Sequence, residues 1–177
     1  MSQKGNGIDD KYEEKSVQDL NSIYAQPPDM SLNKKFAVLL LGNAAPGGNN
    51  IIDGLLQYQL MKQNCTLVGY INGVKGVIED HLITISEESY SSYRNLGGYD
   101  YLGRSSERLD ASNFIDLAKS VQKHRIDGLI LVGATHSLTD GAKLTQYFLQ
   151  EKINTKVVVI PATLDGNIRH TYLQSSL

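Results

Sequence analysis

Apolar residues occur in two patterns, which follow one another in successive segments of the chain. Some form short continuous runs, which are typical of strands buried on both faces of a sheet. These predicted strands are Phe36–Leu41, Thr66–Ile71, Gly128–Val132 and Lys156–Ile160, with a shorter alternating one at Leu82–Ile85. Other apolar residues recur at intervals of three and four and predict helices over Ile51–Leu60, Phe114–Val121 and Thr139–Glu151. Strands that alternate with helices predict an α/β fold with a parallel sheet and right-handed crossovers.

The first 33 residues have a different character. Met1–Asp10 is polar and rich in glycine, asparagine and aspartate, which predicts a disordered tail. Apolar residues at helical spacing within Lys11–Ala25 predict a short amphipathic helix, ended by Pro27-Pro28, that packs as an arm on its own domain. We therefore divide the chain into a tail and helix, residues 1–33, and an α/β domain, residues 34–177.

Composition excludes several classes of function. Seventeen basic and 19 acidic residues give a formal net charge of -2, which argues against nucleic acid or membrane as the main partner. Cys65 is the single cysteine, so no internal disulfide forms, and a reducing compartment fits. No apolar run approaches membrane-spanning length, and the polar start is unlike a signal peptide. These features predict a cytoplasmic protein.

Gly42–Gly48 lies between a predicted strand and a helix. Glycine lets backbone N–H groups approach a phosphate closely, so Gly42, Gly47 and Gly48 are candidate phosphate-binding residues. The loop has neither the Gly-x-Gly-x-x-Gly pattern nor the Gly-Lys-Ser/Thr ending of a P-loop. An ordinary tight turn explains it equally well.

Two further loops carry candidate phosphate ligands. The Gly- and Tyr-rich segment Asn95–Ser106 contains Arg104, which could pair bidentately with phosphate or be a solvated charge. Val132–Thr139 again joins a strand to a helix, so Ser137 could face a phosphate at the helix amino end. Ser137 or Thr139 could instead simply cap that helix. No carboxylate in this loop could hold a metal, and the remaining histidines, His81, His124 and His170, are expected at the surface.

The last predicted strand leads into a loop with a single acid. Pro161 ends what is predicted to be a buried strand, and Thr163 and Asp165 follow within four residues. Open α/β sheets bind their ligands beyond the carboxyl ends of parallel strands. Asp165 is therefore a candidate catalytic group.

These four segments, in this order, resemble the pyrophosphate-dependent phosphofructokinase family. The matching residues are Ala45-Pro-Gly-Gly-Asn-Asn50, Asn95-Leu-Gly-Gly-Tyr-Asp100, Asp127-Gly-Leu-Ile-Leu-Val-Gly133 and Thr155-Lys-Val-Val-Val-Ile-Pro-Ala-Thr-Leu-Asp-Gly166. The resemblance implies a Rossmann-like three-layer sandwich with a mostly parallel sheet, the amino-terminal half of such an enzyme, truncated at its C-terminus. It also implies fructose 6-phosphate and ATP or pyrophosphate as substrates, Mg²⁺ as cofactor, and Asp165 as the general base. Thr163 is the implied substrate-binding residue.

The departures from the family pattern are as informative as the matches. Active members resemble Gly-Gly-Asp-Asp-Ser where this chain has Gly133-Ala134-Thr135-His136-Ser137. Thr135 thus stands where active members have the metal-binding acid. His136 stands where they have the acid linked to pyrophosphate preference. Active members also read Pro-Lys-Thr-Ile-Asp-Gly-Asp where this chain has Pro161-Ala-Thr-Leu-Asp-Gly-Asn167, so alanine replaces the phosphate-facing lysine.

Phosphoryl transfer depends mainly on positioning and charge neutralisation. Losing one such group typically costs about 2.7 to 4 kcal/mol, or a hundred- to a thousandfold in rate. The pattern is similar to the regulatory, alpha-type subunit of the family, which implies an inactive chain that forms a homo- or hetero-oligomer with a catalytic chain or domain. Two alternatives stay open: an active phosphofructokinase with Asp165 as base and Arg104 neutralising phosphate, and a non-catalytic sensor of phosphate-bearing metabolites.

Overall fold

The computed structural model describes residues 33–62 and 64–168 of the chain. The predicted polar tail and amphipathic helix lie outside the described residues. Within the described part the strands are β1 (Lys34–Leu40), β2 (Cys65–Tyr70), β3 (Leu82–Thr84), β4 (Gly128–Gly133) and β5 (Lys156–Pro161). The helices are α1 (Gly48–Met61), α2 (Val74–Ile78), α3 (Glu87–Tyr90), α4 (Phe114–Lys123) and α5 (Thr135–Gln150), with a 3₁₀ turn at Ser91–Tyr93.

The five strands form one mostly parallel sheet. Their order is β3-β2-β1-β4-β5, and every neighbouring pair is parallel except β2 and β3. From β1 the chain crosses to β2 on one side, and it later returns to place β4 on the other side of β1. The strand order therefore reverses between β1 and β4, which is the switch point at which open α/β sheets place their ligands.

Helices cover both faces of the sheet. Alternate residues of a strand point to opposite faces, so Leu39 and Leu41 belong to a core with α2, α4 and α5. Val38 and Leu40 belong to a second core with α1 and the segment 90–102. β1 and β4 are buried from both sides, as their continuous apolar runs predict. The α/β, Rossmann-like three-layer sandwich with a mostly parallel sheet is confirmed.

The structure corrects three local predictions. α5 begins at Thr135, four residues earlier than predicted, and Ala134 is its N-cap without a side-chain hydrogen bond. The prediction that Ser137 or Thr139 caps this helix is therefore wrong. β5 was predicted as a buried strand, but Val158 is 54% exposed because β5 is an edge strand of the described sheet. α2 and α3 were not predicted, since they are too short to show helical periodicity.

None of the helices in residues 33–62 and 64–168 has the length and apolarity needed to span a membrane. The longest helix in these ranges, α5, has 16 residues and includes polar side chains throughout its length.

Candidate phosphate-binding site at the carboxyl edge of the sheet

The carboxyl ends of β1, β4 and β5 lie side by side. The Leu41 N–H donates to the Val132 carbonyl at 2.8 Å, and the Ala162 N–H donates to the Gly133 carbonyl at 2.9 Å. The loops that begin at Gly42, Ala134 and Ala162 therefore leave the sheet from neighbouring positions. Three of the four loops predicted from sequence thus share one edge, at the switch point.

The first and second loops are joined by hydrogen bonds. The Gly98 N–H donates to the Pro46 carbonyl at 3.4 Å, and the Asn49 N–H donates to the Gly98 carbonyl at 3.1 Å. The Asn49 side-chain amide also donates to the Gly97 carbonyl at 3.4 Å. The two glycine-rich loops are consequently one unit, which the sequence indicated only by the order of its motifs.

The glycines of the first loop have different roles. Gly48 packs against Tyr99, and a Cβ there would lie 2.2 Å from the ring carbon Cδ1. This contact alone requires glycine at position 48. Gly47 is buried and is the N-cap of α1. Gly42 is exposed with φ of +69°, and a Cβ at this position would have no neighbour within 4 Å. Among the three glycines, Gly42 is therefore the one that a ligand could approach.

Two buried polar atoms at this junction lack hydrogen-bond partners among the described residues. They are the Asn49 side-chain carbonyl oxygen and the Tyr99 hydroxyl. Burial raises the pKa of Tyr99 to about 12. The Ala45 backbone, which lies near the hydroxyl without a well-aligned hydrogen bond to it, and the Arg104 charge oppose this shift in part. Asn49 was not singled out from the sequence, where nothing distinguished it from the exposed Asn50 beside it.

Arg104 is exposed on the second loop, near Tyr99. The loop is anchored above the end of β2, because the Asn72 N–H donates to the Leu102 carbonyl at 2.7 Å. Gly103, with φ of +73°, packs against the Asn72 side chain, where a Cβ would lie 2.6 Å from Oδ1. Arg104 is thus held at the same edge as the first loop, on its β2 side.

The third loop places Ser137 at the end of β4. A Cβ on Gly133 would lie 2.2 Å from Ser137 Oγ and 3.0 Å from the Leu41 carbonyl. The Ser137 side chain and the Leu41 carbonyl therefore both pack closely against Gly133. Thr135 and His136 are exposed in the first turn of α5, where the helix dipole favours negative charge. Asp140, one turn further on, is buried and receives two hydrogen bonds from Arg108, at 3.1 and 2.9 Å.

Asp165 lies in an exposed turn beyond β5. The Asn167 N–H donates to Thr163 Oγ1 at 3.3 Å, so Thr163 shapes this turn. Ala162 is 1% exposed and packs in the apolar core that contains Val132. The position at which active relatives are expected to carry lysine is therefore a core position in this chain.

The structure does not join Asp165 to Arg104. Among the described residues, no hydrogen bond or ion pair connects them. The loop of Arg104 is anchored above the end of β2, whereas Asp165 follows β5. These two strands are three strand spacings apart, or about 14 Å.

The residues at this edge do not fit a Mg²⁺ ion. Mg²⁺ takes oxygen ligands in octahedral geometry and is usually held by carboxylates. The described residues contain no group of three or more His, Cys, Asp or Glu that could hold a metal. Thr135 and His136 stand at the start of α5 without an acid beside them, and Asp140 is engaged by Arg108.

Comparison with known proteins agrees with this architecture. The model of the family described as Phosphofructokinase matches residues 35–174. The chain is 31% identical over 148 residues to "Pyrophosphate--fructose 6-phosphate 1-phosphotransferase subunit alpha 2" of Arabidopsis thaliana, covering 81% of this chain and 24% of that protein. It is 33% identical over 144 residues to the pyrophosphate--fructose 6-phosphate 1-phosphotransferase of Treponema pallidum, covering 80% and 25%.

Solved structures show the same fold. The crystal structure of Pichia pastoris phosphofructokinase in the T-state superposes with a TM-score of 0.70 at 18% identity, over 85% of this chain and 17% of that one. The pyrophosphate-dependent phosphofructokinase of Marinobacter aquaeolei gives a TM-score of 0.65 at 17% identity, over 75% and 34%. This chain belongs to the phosphofructokinase family. It spans about a quarter of the length of the Arabidopsis and Treponema relatives.

Proposed function

We propose that this chain is an alpha-type, regulatory component of a 6-phosphofructokinase, which converts fructose 6-phosphate to fructose 1,6-bisphosphate. On this proposal it binds phosphate-bearing ligands at the carboxyl edge of the sheet but does not catalyse the transfer. Gly42, Arg104 and Ser137 contact phosphate, while Gly47 and Gly48 hold the first loop in the shape that permits this contact. Thr163 contacts the sugar, and Asp165 is the remnant of the general base.

The observation that carries this proposal is the environment of Ala162. Its side chain is buried in an apolar core, so a lysine there would bury a cation unless the strand end moved. Thr135 likewise supplies no carboxylate at the start of α5. Each lost group costs about a hundred- to a thousandfold in rate, so Asp165 alone cannot sustain turnover.

The expected partners follow from the same proposal. Mg²⁺ and the phosphoryl donor, ATP or pyrophosphate, bind productively on a catalytic phosphofructokinase chain or domain. This chain associates with that partner as a homo- or hetero-oligomer in the cytoplasm. The similarity to relatives named as alpha subunits supports this arrangement.

An assay of the purified chain tests the proposal. Fructose 1,6-bisphosphate formation is measured with fructose 6-phosphate, Mg²⁺ and either pyrophosphate or ATP, for the natural chain and for Asp165→Asn. We expect no turnover from either protein. Turnover that disappears in Asp165→Asn would establish the active alternative and overturn the proposal.

A second measurement separates regulation from sensing alone. A catalytic pyrophosphate-dependent phosphofructokinase is assayed with and without this chain, and calorimetry follows binding of fructose phosphates, pyrophosphate and ATP to the chain alone. A changed rate of the catalytic protein supports the regulatory proposal. Ligand binding without any effect on the catalytic protein identifies a metabolite sensor instead.

A further inference from the structure

A groove lies at the amino-terminal edge of the sheet, opposite the candidate site. Its volume is about 300 Å³, and it lies between the carboxyl ends of α4 and α5. The residues that line it come from two segments, 121–127 and 152–155. The volume is at the lower end of the range for small-molecule sites.

The two segments that form the groove have the same local structure. α4 ends with Ile126 N–H donating to the Val121 carbonyl at 2.9 Å, and α5 ends with Ile153 N–H donating to the Phe148 carbonyl at 2.8 Å. Both are Schellman motifs, in which the residue before the isoleucine adopts the left-handed conformation. A hydrogen bond from Thr155 Oγ1 to the Ile126 carbonyl, at 2.7 Å, holds the two motifs together.

The residues at these two left-handed positions are both cations. Arg125 has φ of 53° and Lys152 has φ of 56°, whereas glycine normally occupies this position without steric cost. A cation at a helix carboxyl end is favourable, but it could be placed in the last turn, where no backbone strain arises. Strained residues that persist in a structure point to a functional constraint.

Neither cation is neutralised within the described part of the chain. Arg125 and Lys152 are exposed and form no ion pair with a described residue. The one acid that lines the groove, Asp127, is paired with Lys34 at 3.4 Å and accepts the Lys35 N–H at 2.8 Å. The groove therefore presents two positive charges, flanked by the amides of Gln122 and Asn154.

We propose that this groove binds a small dianionic ligand of the phosphate monoester class, held by Arg125 and Lys152. A phosphate monoester carries a charge of roughly -1.5 to -2 at neutral pH, which matches two cations. The guanidinium of Arg125 contacts two phosphate oxygens, and Lys152 supplies a point charge. Gln122 and Asn154 contact the polar remainder of the molecule. This site is separate from the carboxyl edge and does not depend on the function proposed above.

Nuclear magnetic resonance of the full 177-residue chain tests the site. The protein is titrated with glycerol 2-phosphate, with inorganic phosphate, and with glycerol as the uncharged comparison. We expect saturable shifts of the backbone amides of 122–127 and 152–155 with both phosphates and none with glycerol. Shifts confined to 42–48, 97–104 and 133–137 would overturn the groove proposal while supporting the carboxyl-edge site.

Arg125→Gly and Lys152→Gly make the test specific. Each substitution removes a cation but also relieves the left-handed backbone, so the melting temperature stays the same or rises. Each should weaken phosphate binding at the groove at least tenfold. Lys143→Ala, which removes an exposed cation of α5 that does not line the groove, should leave the affinity unchanged. Equal affinity in the natural chain and both glycine variants would overturn the proposal.

Discussion

At the scale of single residues, the junction of the two glycine loops combines a close contact with an unsatisfied polar group. The Tyr99 ring fills the space beside Gly48, while the Tyr99 hydroxyl is buried without a hydrogen-bond partner among the described residues. A buried hydroxyl that lacks a partner loses its hydration without compensation. The ring is therefore the stabilising part of this side chain, and the hydroxyl is not.

Two substitutions separate these contributions. We expect Tyr99→Phe to leave the free energy of unfolding unchanged or to raise it by about 1 kcal/mol, because only the unpaired hydroxyl is removed. Gly48→Ala should lower it by about 1 to 3 kcal/mol, because the new methyl would lie 2.2 Å from the ring and 2.7 Å from the Gly98 carbonyl. Urea denaturation of both variants measures the difference. A loss of more than about 1 kcal/mol in Tyr99→Phe would show that the hydroxyl has a partner in solution.

A second residue-scale cluster surrounds Asp80. Its carboxylate accepts hydrogen bonds from Ser120 at 2.6 Å and His124 at 2.9 Å, and it pairs with Lys123. Although burial opposes ionisation, the hydrogen bonds from Lys123, Ser120 and His124 lower the pKa of Asp80 to about 2. His124, which was expected at the surface from the sequence, thus helps to tie α4 to the turn after α2.

The pKa of Asp80 predicts a pH-dependent stability difference. A pKa below the unfolded value of 3.8 means that the carboxylate stabilises the fold above about pH 4 and loses this effect as pH falls towards 2. Asp80→Asn should therefore destabilise the protein by about 1 to 2 kcal/mol at pH 7, and the difference should shrink between pH 4 and pH 2. Asparagine tolerates the left-handed backbone at this position, where φ is 53°, so the comparison reports the charge.

Chemical denaturation at pH 7, 4 and 2 measures this difference. Asp100→Asn is the matched control, since Asp100 is exposed and forms no ion pair with a described residue. A stability difference for Asp80→Asn that is the same at all three pH values would contradict the assignment.

At the scale of elements, Arg108 connects the long segment before α4 to the second turn of α5. The Asp140 side chain is 6% exposed and that of Arg108 is 55% exposed. Asn113 helps to position Arg108, because its side-chain amide donates to the Arg108 carbonyl at 2.8 Å. The pair holds the segment that carries Arg104 against the helix that begins with the third loop.

Removing the Arg108 cation alone should destabilise the fold more than removing both charges of the Arg108–Asp140 pair. Arg108→Ala leaves a buried carboxylate unpaired, so we expect the melting temperature to fall by roughly 5 °C. In the double variant Arg108→Ala, Asp140→Asn, the buried charge is also gone, and part of the loss should be recovered. Calorimetric melting of the two single variants and the double variant gives the coupling. Strictly additive changes would show that the pair does not act as a unit.

The strands that could be predicted correctly from sequence are those that are buried on both faces of the sheet. β1 and β4 are central strands covered on both faces, so their apolar runs have only one interpretation. β5 has a similar run, but its position at the edge of the described sheet depends on strand order, which a local pattern does not contain. The start of α5 was missed because Ala134 is a weak N-cap, while Ser137 inside the helix looks like a strong one.

The candidate site, too, could be predicted from sequence only in part. The loops could be located from glycine content, because tight strand-to-helix turns require it. The partnership of Asn49 with Gly97, and of Arg108 with Asp140, joins residues 48 and 32 positions apart. Contacts of this kind arise from tertiary packing, and a local sequence pattern does not show which residues will be paired.

At the scale of the whole molecule, the two outermost strands of the described sheet, β3 and β5, differ. β3 is three residues long and pairs antiparallel with β2, whereas β5 is a six-residue parallel strand. Long apolar edge strands pair readily with another chain. β5 is the longer of the two edge strands, and its Val158 side chain is 54% exposed. The association proposed for this chain should therefore use β5.

Val158→Lys tests this assignment. A charge on an edge strand opposes strand pairing. For the homo-oligomer among the assemblies proposed above, we therefore expect the variant to shift self-association to at least tenfold higher concentration while its melting temperature changes little. Sedimentation equilibrium of the chain, with its monomer mass of 19.5 kDa, measures the shift. Leu149→Lys is the matched control, because Leu149 is 71% exposed but belongs to α5 and not to a strand. If Leu149→Lys dissociates the oligomer and Val158→Lys does not, the interface is a helical face and β5 takes no part in it. If only Val158→Lys does so, strand pairing at β5 assembles the protein, and Asp165, which follows that strand, lies close to the interface with the partner.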